Sequence, residues 1–300
     1  MTGKINVIFN ENIQKIGNVF LCELEKRGIK ECEPCVFRLE TELSLEQEEY
    51  VIEKNGDAVV FRAGSEKGLI FAIGRFFRKS EINGSTAYIL PLLYGSFKPE
   101  KAVRGHQIGY RACTNTYDAW DEKQYYTYML EMMLYGANMA EFIPDQPENE
   151  LMTDSRRMLI SCVESADRLG MYTSLWYPND NLSPEETAAK RREIISDIPS
   201  LDVLFIPGSD PGDYPVKELM ERVKLIAHEV HKVSGCKIFV SAQAPHNSPT
   251  WGDDFIEEME KLPEEIDGVI MGPNHAMPLP ELRARVPERY PIRMYNDITH

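Results

Sequence analysis

The second part of the chain alternates short apolar runs with amphipathic helical segments, and this alternation constrains the fold more than any other feature. Such a rhythm is typical of a parallel sheet whose strands are connected by helices. Strands are predicted at 104–111, 138–143, 171–177, 202–207, 236–242, 268–272 and 291–296. Helices are predicted between them, at about 121–136, 153–169, 184–198, 214–233, 251–261 and 279–286.

Seven predicted strands leave two possible folds for this part of the chain. A closed (β/α)8 barrel has eight parallel strands, whereas an open doubly wound sheet accommodates seven. In an open sheet the strand at 291–296 would leave a long apolar edge exposed, which native proteins avoid. We therefore predict a TIM barrel of the (β/α)8 type that is incomplete at the C-terminus, because the chain stops at His300 directly after the seventh strand.

The first part of the chain has a different pattern, which predicts a small α+β domain. A strand, a helix and a second strand come before two β-rich runs that are separated by Asn55-Gly56, a pair that favours a tight hairpin turn. A helix follows, with Leu69, Ile73 and Phe76 on one face. Because 300 residues exceed the usual size of one core, we predict an α+β domain with a linker over 1–100 and the barrel over 101–300.

Charge and hydropathy exclude several classes of partner. The net charge is −15, and such a surface repels nucleic acid and anionic membranes. No apolar stretch is long enough for a membrane span, and the N-terminus lacks the apolar core of a secretory signal. We therefore predict a cytoplasmic protein that binds neither nucleic acid nor a membrane, whereas the oligomeric state is unknown from the sequence.

Two of the six cysteines, Cys32 and Cys35, form a CxxC motif. This motif occurs in redox pairs and as half of a zinc site. No second CxxC or nearby CxxH completes a metal set, and Glu31 and Glu33 disfavour a thiolate. We interpret the cysteines as ordinary reduced thiols, and we predict neither a cofactor nor a metal.

Polar and aromatic side chains follow the predicted barrel strands. In TIM barrels the catalytic groups lie at the carboxyl ends of the strands and in the loops after them. The residues at these positions are Tyr110, Arg111, Glu141, Trp176, Tyr177, Asp210, His275, Asn296, Asp297 and His300. Aromatic faces stack on sugar C–H groups, amides and carboxylates bind hydroxyls, and two carboxyl groups do acid/base work, so this set predicts a sugar site.

Two aspartates are the candidate catalytic residues. Asp210 lies in a loop rich in proline and glycine, which would hold a general acid in a fixed position. Its alternative role is that of a turn residue or helix cap, although Asp213 is better placed to cap the helix at 214–233. Asp297, after the seventh strand, is the second candidate, and its alternative role is to cap a following helix. The other polar and aromatic residues of the set are predicted to bind the substrate.

The sequence also resembles two families of glycoside hydrolases. Residues 50–78, YVIEKNGDAVVFRAGSEKGLIFAIGRFFR, resemble the small N-terminal domain of family 67 α-glucuronidases and family 20 hexosaminidases. The stretches RGHQIGYRACTNTYDAW, GANMAEFIP, FIPGSDPGD and RYPIRMYNDITH resemble the barrel of bacterial relatives of α-glucuronidases. The resemblance implies a two-domain hydrolase that acts on a carbohydrate and uses carboxylates.

The resemblance assigns roles to particular positions. Ser209-Asp210-Pro211-Gly212 is similar to the Ser-Glu-Gly-Gln-Pro-Gly context of the α-glucuronidase general acid, with Asp in place of Glu. Asn296-Asp297 falls where a carboxylate helps to activate water. The chain differs after strand six, where Asn274-His275 replaces a carboxylate. It also lacks the adjacent acidic pair of family 20, because Asp210 and Asp213 are not neighbours.

These observations favour O-glycoside hydrolysis of a polysaccharide or oligosaccharide, with α-glucuronidase-like specificity. A uronate substrate would need a cationic partner such as Arg111 or Arg293. Two alternatives stay open. Glu141, Asp210, His275, Asp297 and His300 also suit a metal-dependent barrel lyase or isomerase. The same aromatic and polar ring would also suit a sugar-binding protein without catalytic activity.

Overall fold

A computed structural model of the protein describes residues 2–108, 120–143, 154–209, 212–245 and 248–295. The chain divides into two compact units. The first comprises the chain up to Gly105 together with Thr127–Asn138, and the second comprises His106–Tyr126 and the chain from Met139 onward. Each unit has its own sheets and its own buried core.

The first unit is an α+β domain with two sheets. Its strands are β1 (Gly3–Lys4), β2 (Asn6–Ile8), β3 (Glu31–Glu33), β4 (Val36–Thr41), β5 (Tyr50–Asn55), β6 (Ala58–Ala63), β7 (Ser80–Asn83), β8 (Thr86–Ile89) and β9 (Gly95–Phe97). Its helices are α1 (Gln14–Lys26) and α2 (Glu66–Arg78), with short 3-10 helices at Glu11–Ile13 and Pro91–Leu93. One sheet has the order β2-β4-β6-β5-β9, and the other has the order β1-β3-β8-β7.

The hairpin and helix of this unit form for the predicted reasons. Asn55 pairs with Ala58 in antiparallel register, and Gly56 between them has a φ of 58°. Ser65 caps α2, because its side-chain oxygen accepts a hydrogen bond from the Gly68 amide. Four phenylalanines from α1, β4, β6 and α2 form the centre of the core, with ring centroids 5.1–5.9 Å apart: Phe20, Phe37, Phe61 and Phe76.

The barrel strands and the helices between them lie in the second unit, except for Gly105 and Thr127–Asn138, which belong to the first. Its strands are β10 (Gly105–Ile108), β11 (Met139–Phe142), β12 (Tyr172–Trp176), β13 (Val203–Ile206), β14 (Lys237–Ser241), β15 (Gly268–Met271) and β16 (Ile292–Met294). The helices are α3 (Glu122–Leu134), α4 (Ser155–Leu169), α5 (Pro184–Ser196), α6 (Val216–Val230), α7 (Trp251–Glu260) and α8 (Leu279–Arg285).

The barrel strands form one seven-stranded sheet in strict chain order, β10 to β16. The pairs from β11 to β16 are all parallel. The predicted fold class, an incomplete (β/α)8-type TIM barrel with a small α+β domain before it, is therefore confirmed. The described part of the chain contains no helix that is both long and apolar enough to cross a membrane.

Apolar side chains from neighbouring strands fill the barrel interior. Val203, Phe205, Phe239 and Ile270 form a buried cluster, and the partly buried rings of Trp176 and Tyr295 pack against it. Gly268 on β15 makes room for this packing, because a Cβ atom there would overlap the Phe239 ring. The polar residues of the interior are therefore held in fixed positions by close-packed neighbours.

Candidate active site

Six of the predicted site residues lie outside the described residues. These are Tyr110, Arg111, Asp210, Asn296, Asp297 and His300. Both candidate catalytic aspartates are among them, so their roles stay predictions. The structure places the other four, Glu141, Trp176, Tyr177 and His275, and it describes the residues that flank Asp210.

The loop after β13, which leads to Asp210, is held by a buried hydroxyl. The Ser209 side chain is fully buried and donates a hydrogen bond to the carbonyl oxygen of Tyr214. It accepts one from the Trp251 indole at 2.9 Å, and the same indole N–H also lies 3.1 Å from the Tyr214 carbonyl oxygen. The Ser209 amide donates to the Gln243 carbonyl oxygen at 2.8 Å. The two sides of the loop are thereby tied to each other, to α7 and to the segment after β14.

Gly208 and Gly212 allow the close approach of this loop to its neighbours. A Cβ atom on Gly208 would lie 2.5 Å from the carbonyl oxygen of Gln243 and closer still to that of Ser241. Gly212 has a φ of 128°, which side-chain-bearing residues rarely adopt. The Asn179 side chain adds a further tie, since its amide donates to the Gly208 carbonyl oxygen at 2.8 Å. The backbone on both sides of Asp210-Pro211 is therefore fixed by packing and hydrogen bonds.

The structure corrects the role predicted for Asp213. The helix α6 begins at Val216, and the residue before it is Pro215, without a side-chain cap. Asp213 instead has a φ of 51° and its amide donates to the Ser209 carbonyl oxygen at 2.9 Å. It belongs to the turn that closes the loop, two residues before the Pro215 that precedes the helix.

Asp180, in the loop after β12, is anchored by an arginine from α5. It accepts hydrogen bonds from the Thr187 hydroxyl at 2.6 Å and from the guanidinium of Arg191, which is almost fully buried. Burial alone would raise the pKa of Asp180, but these hydrogen bonds and the Arg191 charge together lower it below its ordinary value. The Tyr214 hydroxyl donates to the Asp180 carbonyl oxygen. The two loops after β12 and β13 are thus joined to each other.

The two aromatic residues predicted to contact a sugar differ in exposure. Tyr177 is buried, and the Arg191 guanidinium lies 3.8 Å from the centre of its ring. This environment favours packing under the loop over contact with a ligand. Trp176 ends β12 and is partly exposed while it packs on the interior cluster. Its position suits a sugar-stacking surface better.

Glu141 is buried in the barrel interior, one residue before the end of β11. One carboxylate oxygen accepts from the Gln107 side-chain amide at 3.0 Å, and the other accepts from the Ser174 hydroxyl at 2.8 Å. Burial raises the pKa of Glu141 to about 7, although these hydrogen bonds and the charge of Arg293 act in the opposite direction. At neutral pH the site therefore holds a carboxyl group that can gain or lose a proton.

Arg293 lies inside the barrel, 4.3 Å from the centre of the Phe239 ring. Burial lowers its pKa, whereas the charges of Glu141 and Asp202 and the nearby Tyr172 act against this. Asp202 directly precedes β13 and Tyr172 begins β12, so the guanidinium interacts electrostatically with groups at the amino ends of strands as well as with Glu141. This environment favours charge compensation in the interior over binding of a uronate at the carboxyl ends.

A hydrogen bond joins the two edges of the barrel sheet near Glu141 and Arg293. The Tyr295 hydroxyl donates to the side-chain oxygen of Gln107 at 3.0 Å. Tyr295 directly follows β16, and Gln107 lies on β10. Gln107 thus connects Tyr295 at one edge of the sheet with Glu141 on the neighbouring strand.

His275 is exposed in the segment after β15. It forms an isolated antiparallel bridge with Gln243, which follows β14 and is itself buried. The segment bends here, since Asn274 has a φ of 53°. Its place after a barrel strand agrees with the position expected of a substrate-binding residue, while the role stays a prediction.

Metal ligation was the main chemical alternative to acid/base catalysis. Within the ranges that the structure describes, no three histidine, cysteine, aspartate or glutamate side chains come together as a metal site would require. Three of the five ligands proposed from the sequence, Asp210, Asp297 and His300, lie outside those ranges. The pair Glu141 and His275 alone therefore gives no support to that alternative.

The interior residues Gln107 and Ser174 were not predicted to belong to the site. Both lie within strands, whereas catalytic groups of TIM barrels are expected at strand ends and in the loops after them. The sequence gives no distinct signal for them, because each has a polar neighbour in its strand, His106 for Gln107 and Thr173 for Ser174. Ser174 stands between Thr173 and Leu175, and its hydroxyl is buried.

No protein-family model and no curated protein matches the sequence. The fold, however, is similar to those of solved glycoside hydrolases. The β-N-acetylhexosaminidase from Bacteroides fragilis aligns with a TM-score of 0.66 and 11% identity over 97% of this chain and 70% of the hexosaminidase. The family 20 chitobiase from Flavobacterium johnsoniae aligns with a TM-score of 0.62 and 15% identity over 98% of this chain and 55% of the chitobiase.

A family 138 enzyme that targets pectin rhamnogalacturonan II aligns with a TM-score of 0.60 and 12% identity, over 90% of this chain and 38% of that enzyme. The chain thus spans less than two thirds of the length of this enzyme and of the chitobiase. At these identities the likeness shows that the fold is shared. The protein therefore has the TIM-barrel-like fold of family 20 and family 138 glycoside hydrolases.

Proposed function

We propose that the protein is an O-glycosyl hydrolase that cleaves a polysaccharide or oligosaccharide by carboxylate acid/base catalysis. The observation that carries this proposal is the close packing on both sides of Asp210 in sequence, with buried Ser209 and close-packed Gly208 before it and the turn at Gly212 after it. A general acid gains from such fixing, because catalysis depends on its geometry toward the leaving oxygen. The shared fold with glycoside hydrolases supports the same conclusion.

In the proposed reaction, Asp210 protonates the glycosidic oxygen as the bond to the sugar breaks. Asp297, after the seventh barrel strand, accepts a proton from the attacking water. The transition state has oxocarbenium character, and direct attack by this water inverts the anomeric configuration. Carboxyl groups only about 5–5.5 Å apart would instead let Asp297 attack the sugar carbon itself, and water would then release the product with retained configuration. Trp176 and Tyr110 supply the stacking surface, and Asn296, His275 and His300 supply hydrogen bonds to hydroxyl groups.

A uronic acid is the substrate class suggested by the resemblance to α-glucuronidases. Its carboxylate needs a cationic partner in a protein with a net charge of −15. The interior environment of Arg293 leaves Arg111 as the better candidate. We therefore propose that Arg111→Met lowers kcat/KM for uronides more than for neutral glycosides.

A panel of 4-nitrophenyl glycosides, including glucuronides, galacturonides and N-acetylhexosaminides, tests the proposed function. We expect at least one member to be hydrolysed and Asp210→Asn to lower its kcat by about a hundredfold or more. Asp213→Asn is the matched control, because it changes a neighbouring turn residue that is not assigned to the chemistry. Thermal unfolding of each variant checks that the fold is intact.

Three outcomes would contradict the proposal. Full activity of Asp210→Asn would remove this residue as the acid. Binding of oligosaccharides without turnover of any glycoside would favour a sugar-binding protein. Loss of turnover on treatment with a chelator, restored by Mg²⁺, Mn²⁺ or Zn²⁺, would favour metal-dependent chemistry, because a pair of carboxylates needs no metal ion.

A further inference from the structure

Tyr295, Gln107 and Glu141 form a hydrogen-bonded chain in the barrel interior that the acid/base chemistry above does not use. The Tyr295 hydroxyl donates to the Gln107 oxygen, and the Gln107 nitrogen donates to Glu141, both at 3.0 Å. The Ser174 hydroxyl donates to the second carboxylate oxygen at 2.8 Å. Every donor therefore points toward Glu141, which is the arrangement that an ionised carboxylate requires because it has only acceptors.

Protonation of Glu141 must change this arrangement, because the carboxyl group then has a proton to donate. One acceptor within reach is the oxygen of Gln107, once the side-chain amide has turned over. The NH2 group of Gln107 then faces the Tyr295 oxygen and donates a hydrogen bond to it. The hydroxyl proton of Tyr295 therefore points away from β10. The other acceptor within reach is the Ser174 hydroxyl, and this route would leave Tyr295 unchanged.

We propose that Glu141 acts as a positioning residue of the candidate active site: by setting the orientation of the Gln107 amide, it decides whether the Tyr295 hydroxyl donates toward β10 or away from it. The inference rests on the proposed function in one respect. Tyr295 directly precedes Asn296-Asp297, so its orientation matters to hydrolysis only where those residues take part in it.

The surroundings of Glu141 allow both protonation states in the neutral range. Gln107 faces it from β10, Ser174 from β12 and the Arg293 charge from β16, while Asp202 and Tyr172 act on Arg293. Burial favours the neutral acid and Arg293 favours the carboxylate, and the balance gives the pKa of about 7. A change of pH between 6 and 8 should therefore reverse the hydrogen-bond chain.

The first test follows the Tyr295 hydroxyl itself and needs no substrate. The full chain is labelled with tyrosine carrying ¹³C at Cζ, and the Tyr295 signal is assigned by its loss in Tyr295→Phe. We expect its chemical shift to change with pH around 7 in the wild-type protein and to stay constant in Glu141→Gln, which cannot ionise. The change should persist in Ser174→Ala, because the proposed route does not pass through that hydroxyl.

The second test connects the chain to turnover of the 4-nitrophenyl glycoside that the panel identifies. Glu141→Gln keeps an acceptor for Gln107 but cannot ionise, so we expect its profile of kcat/KM to lack one inflection near pH 7 that the wild-type profile shows. The wild-type change across that inflection should be about two- to tenfold, the range of a hydrogen bond made or lost. The proposed catalytic residues Asp210 and Asp297 affect both profiles equally, so their ionisation does not contribute to the difference between them.

The outcomes separate this inference from the proposed function. A Tyr295 signal that ignores pH, or that moves equally in Glu141→Gln, overturns the positioning role even if glycosides are cleaved. A moving signal with identical activity profiles overturns it as well. If no glycoside is turned over, the proposed function and the positioning role in hydrolysis fail together, and the NMR result still decides whether Glu141 controls Tyr295.

Discussion

The Tyr295 hydroxyl donates a hydrogen bond of 3.0 Å to the side-chain oxygen of Gln107, 188 residues earlier in the chain. Gln107 lies on β10 and Tyr295 directly follows β16, the first and last strands of the sheet. In a closed barrel an eighth strand lies between such strands. Here a side chain from each edge strand takes part in one hydrogen bond in the interior. Tyr295 should therefore stabilise the sheet as well as contribute to the candidate site.

Removal of this hydroxyl should weaken the fold measurably. Tyr295→Phe keeps the ring that packs on Phe205, at 5.9 Å between centroids, but removes the donor to Gln107. We expect the free energy of unfolding to fall by about 1 kcal/mol. Urea denaturation measures it, with Tyr88→Phe as the control, because that ring is 46% exposed on β8. Equal stability of the two variants would show that the edge-to-edge bond contributes nothing.

Much of the architecture follows from local signals. The alternation after Arg104 predicts the seven barrel strands, and Asn55-Gly56 predicts the hairpin of β5 and β6. A second hairpin, β7 and β8, was missed although Asn83-Gly84 stands at its turn with a φ of 59° at the glycine. Its flanking strands are short and largely exposed, so they lack the apolar alternation that identifies a strand.

The candidate site was less predictable than the fold. Strand ends can be read from the sequence, so Glu141 and Trp176 were found, whereas Gln107 is recognisable only when β10 and β16 are seen to face each other. The sequence also does not reveal burial of single side chains. Tyr177 follows Trp176 directly, yet one ring is buried under Arg191 and the other is partly exposed.

Glu141 should make the stability of the protein depend on pH. Because its pKa is raised to about 7 in the folded protein from an ordinary value of 4.5, the folded state holds this proton more tightly than the unfolded chain. Its contribution is fully present below pH 4.5 and is lost as the pH rises through 7, by up to about 3 kcal/mol. Denaturation of the wild-type protein and Glu141→Gln from pH 5 to 8 measures the difference.

The sign of that difference is diagnostic. Relative to Glu141→Gln, the wild-type protein should lose stability from pH 5 to 7 and then remain constant. Glu221→Gln changes an exposed glutamate on α6 and should run parallel to the wild-type protein throughout. If the stability of Glu141→Gln also changes with pH in parallel with that of the wild-type protein, Glu141 has the same pKa in the folded protein as in the unfolded chain.

Gly208 should be intolerant of even a methyl group. A Cβ atom there overlaps the carbonyl oxygens of Ser241 and Gln243, and backbone atoms cannot move aside as a flexible side chain can. We expect Gly208→Ala to displace the loop that carries Asp210 and to lower the free energy of unfolding by about 1–3 kcal/mol. Loss of turnover should be larger than this loss of stability alone explains, because the position of the proposed acid changes.

Gly235→Ala provides the matched control for that substitution. A Cβ atom on Gly235 has no neighbour within 4 Å, and its backbone is not left-handed. Its stability and activity should stay near those of the wild-type protein. If Gly208→Ala behaves in the same way, the loop after β13 is not held as tightly as its contacts indicate.

Arg191 should be the main support of the loop after β12. Its buried guanidinium pairs with Asp180, donates to the Pro178 carbonyl oxygen at 2.6 Å and covers the Tyr177 ring. Arg191→Met keeps an apolar side chain over Tyr177 but leaves Asp180 and the carbonyl oxygen without their cationic donor. We expect the free energy of unfolding to fall by about 3 kcal/mol, because removing one partner of a buried ion pair leaves the other uncompensated.

The neighbouring Arg192 shows whether burial or charge alone causes the loss of stability expected for Arg191→Met. It lies on the same helix and pairs with Glu229, but its side chain is 44% exposed. Solvent screens such a pair, so Arg192→Met should cost less than about 1 kcal/mol. Chemical denaturation of both variants gives the comparison. Similar losses of unfolding free energy in both variants would mean that surface charges stabilise α5 as much as the buried arginine does. The loop that carries Asp180 would then be held by Thr187 and Tyr214 rather than by Arg191.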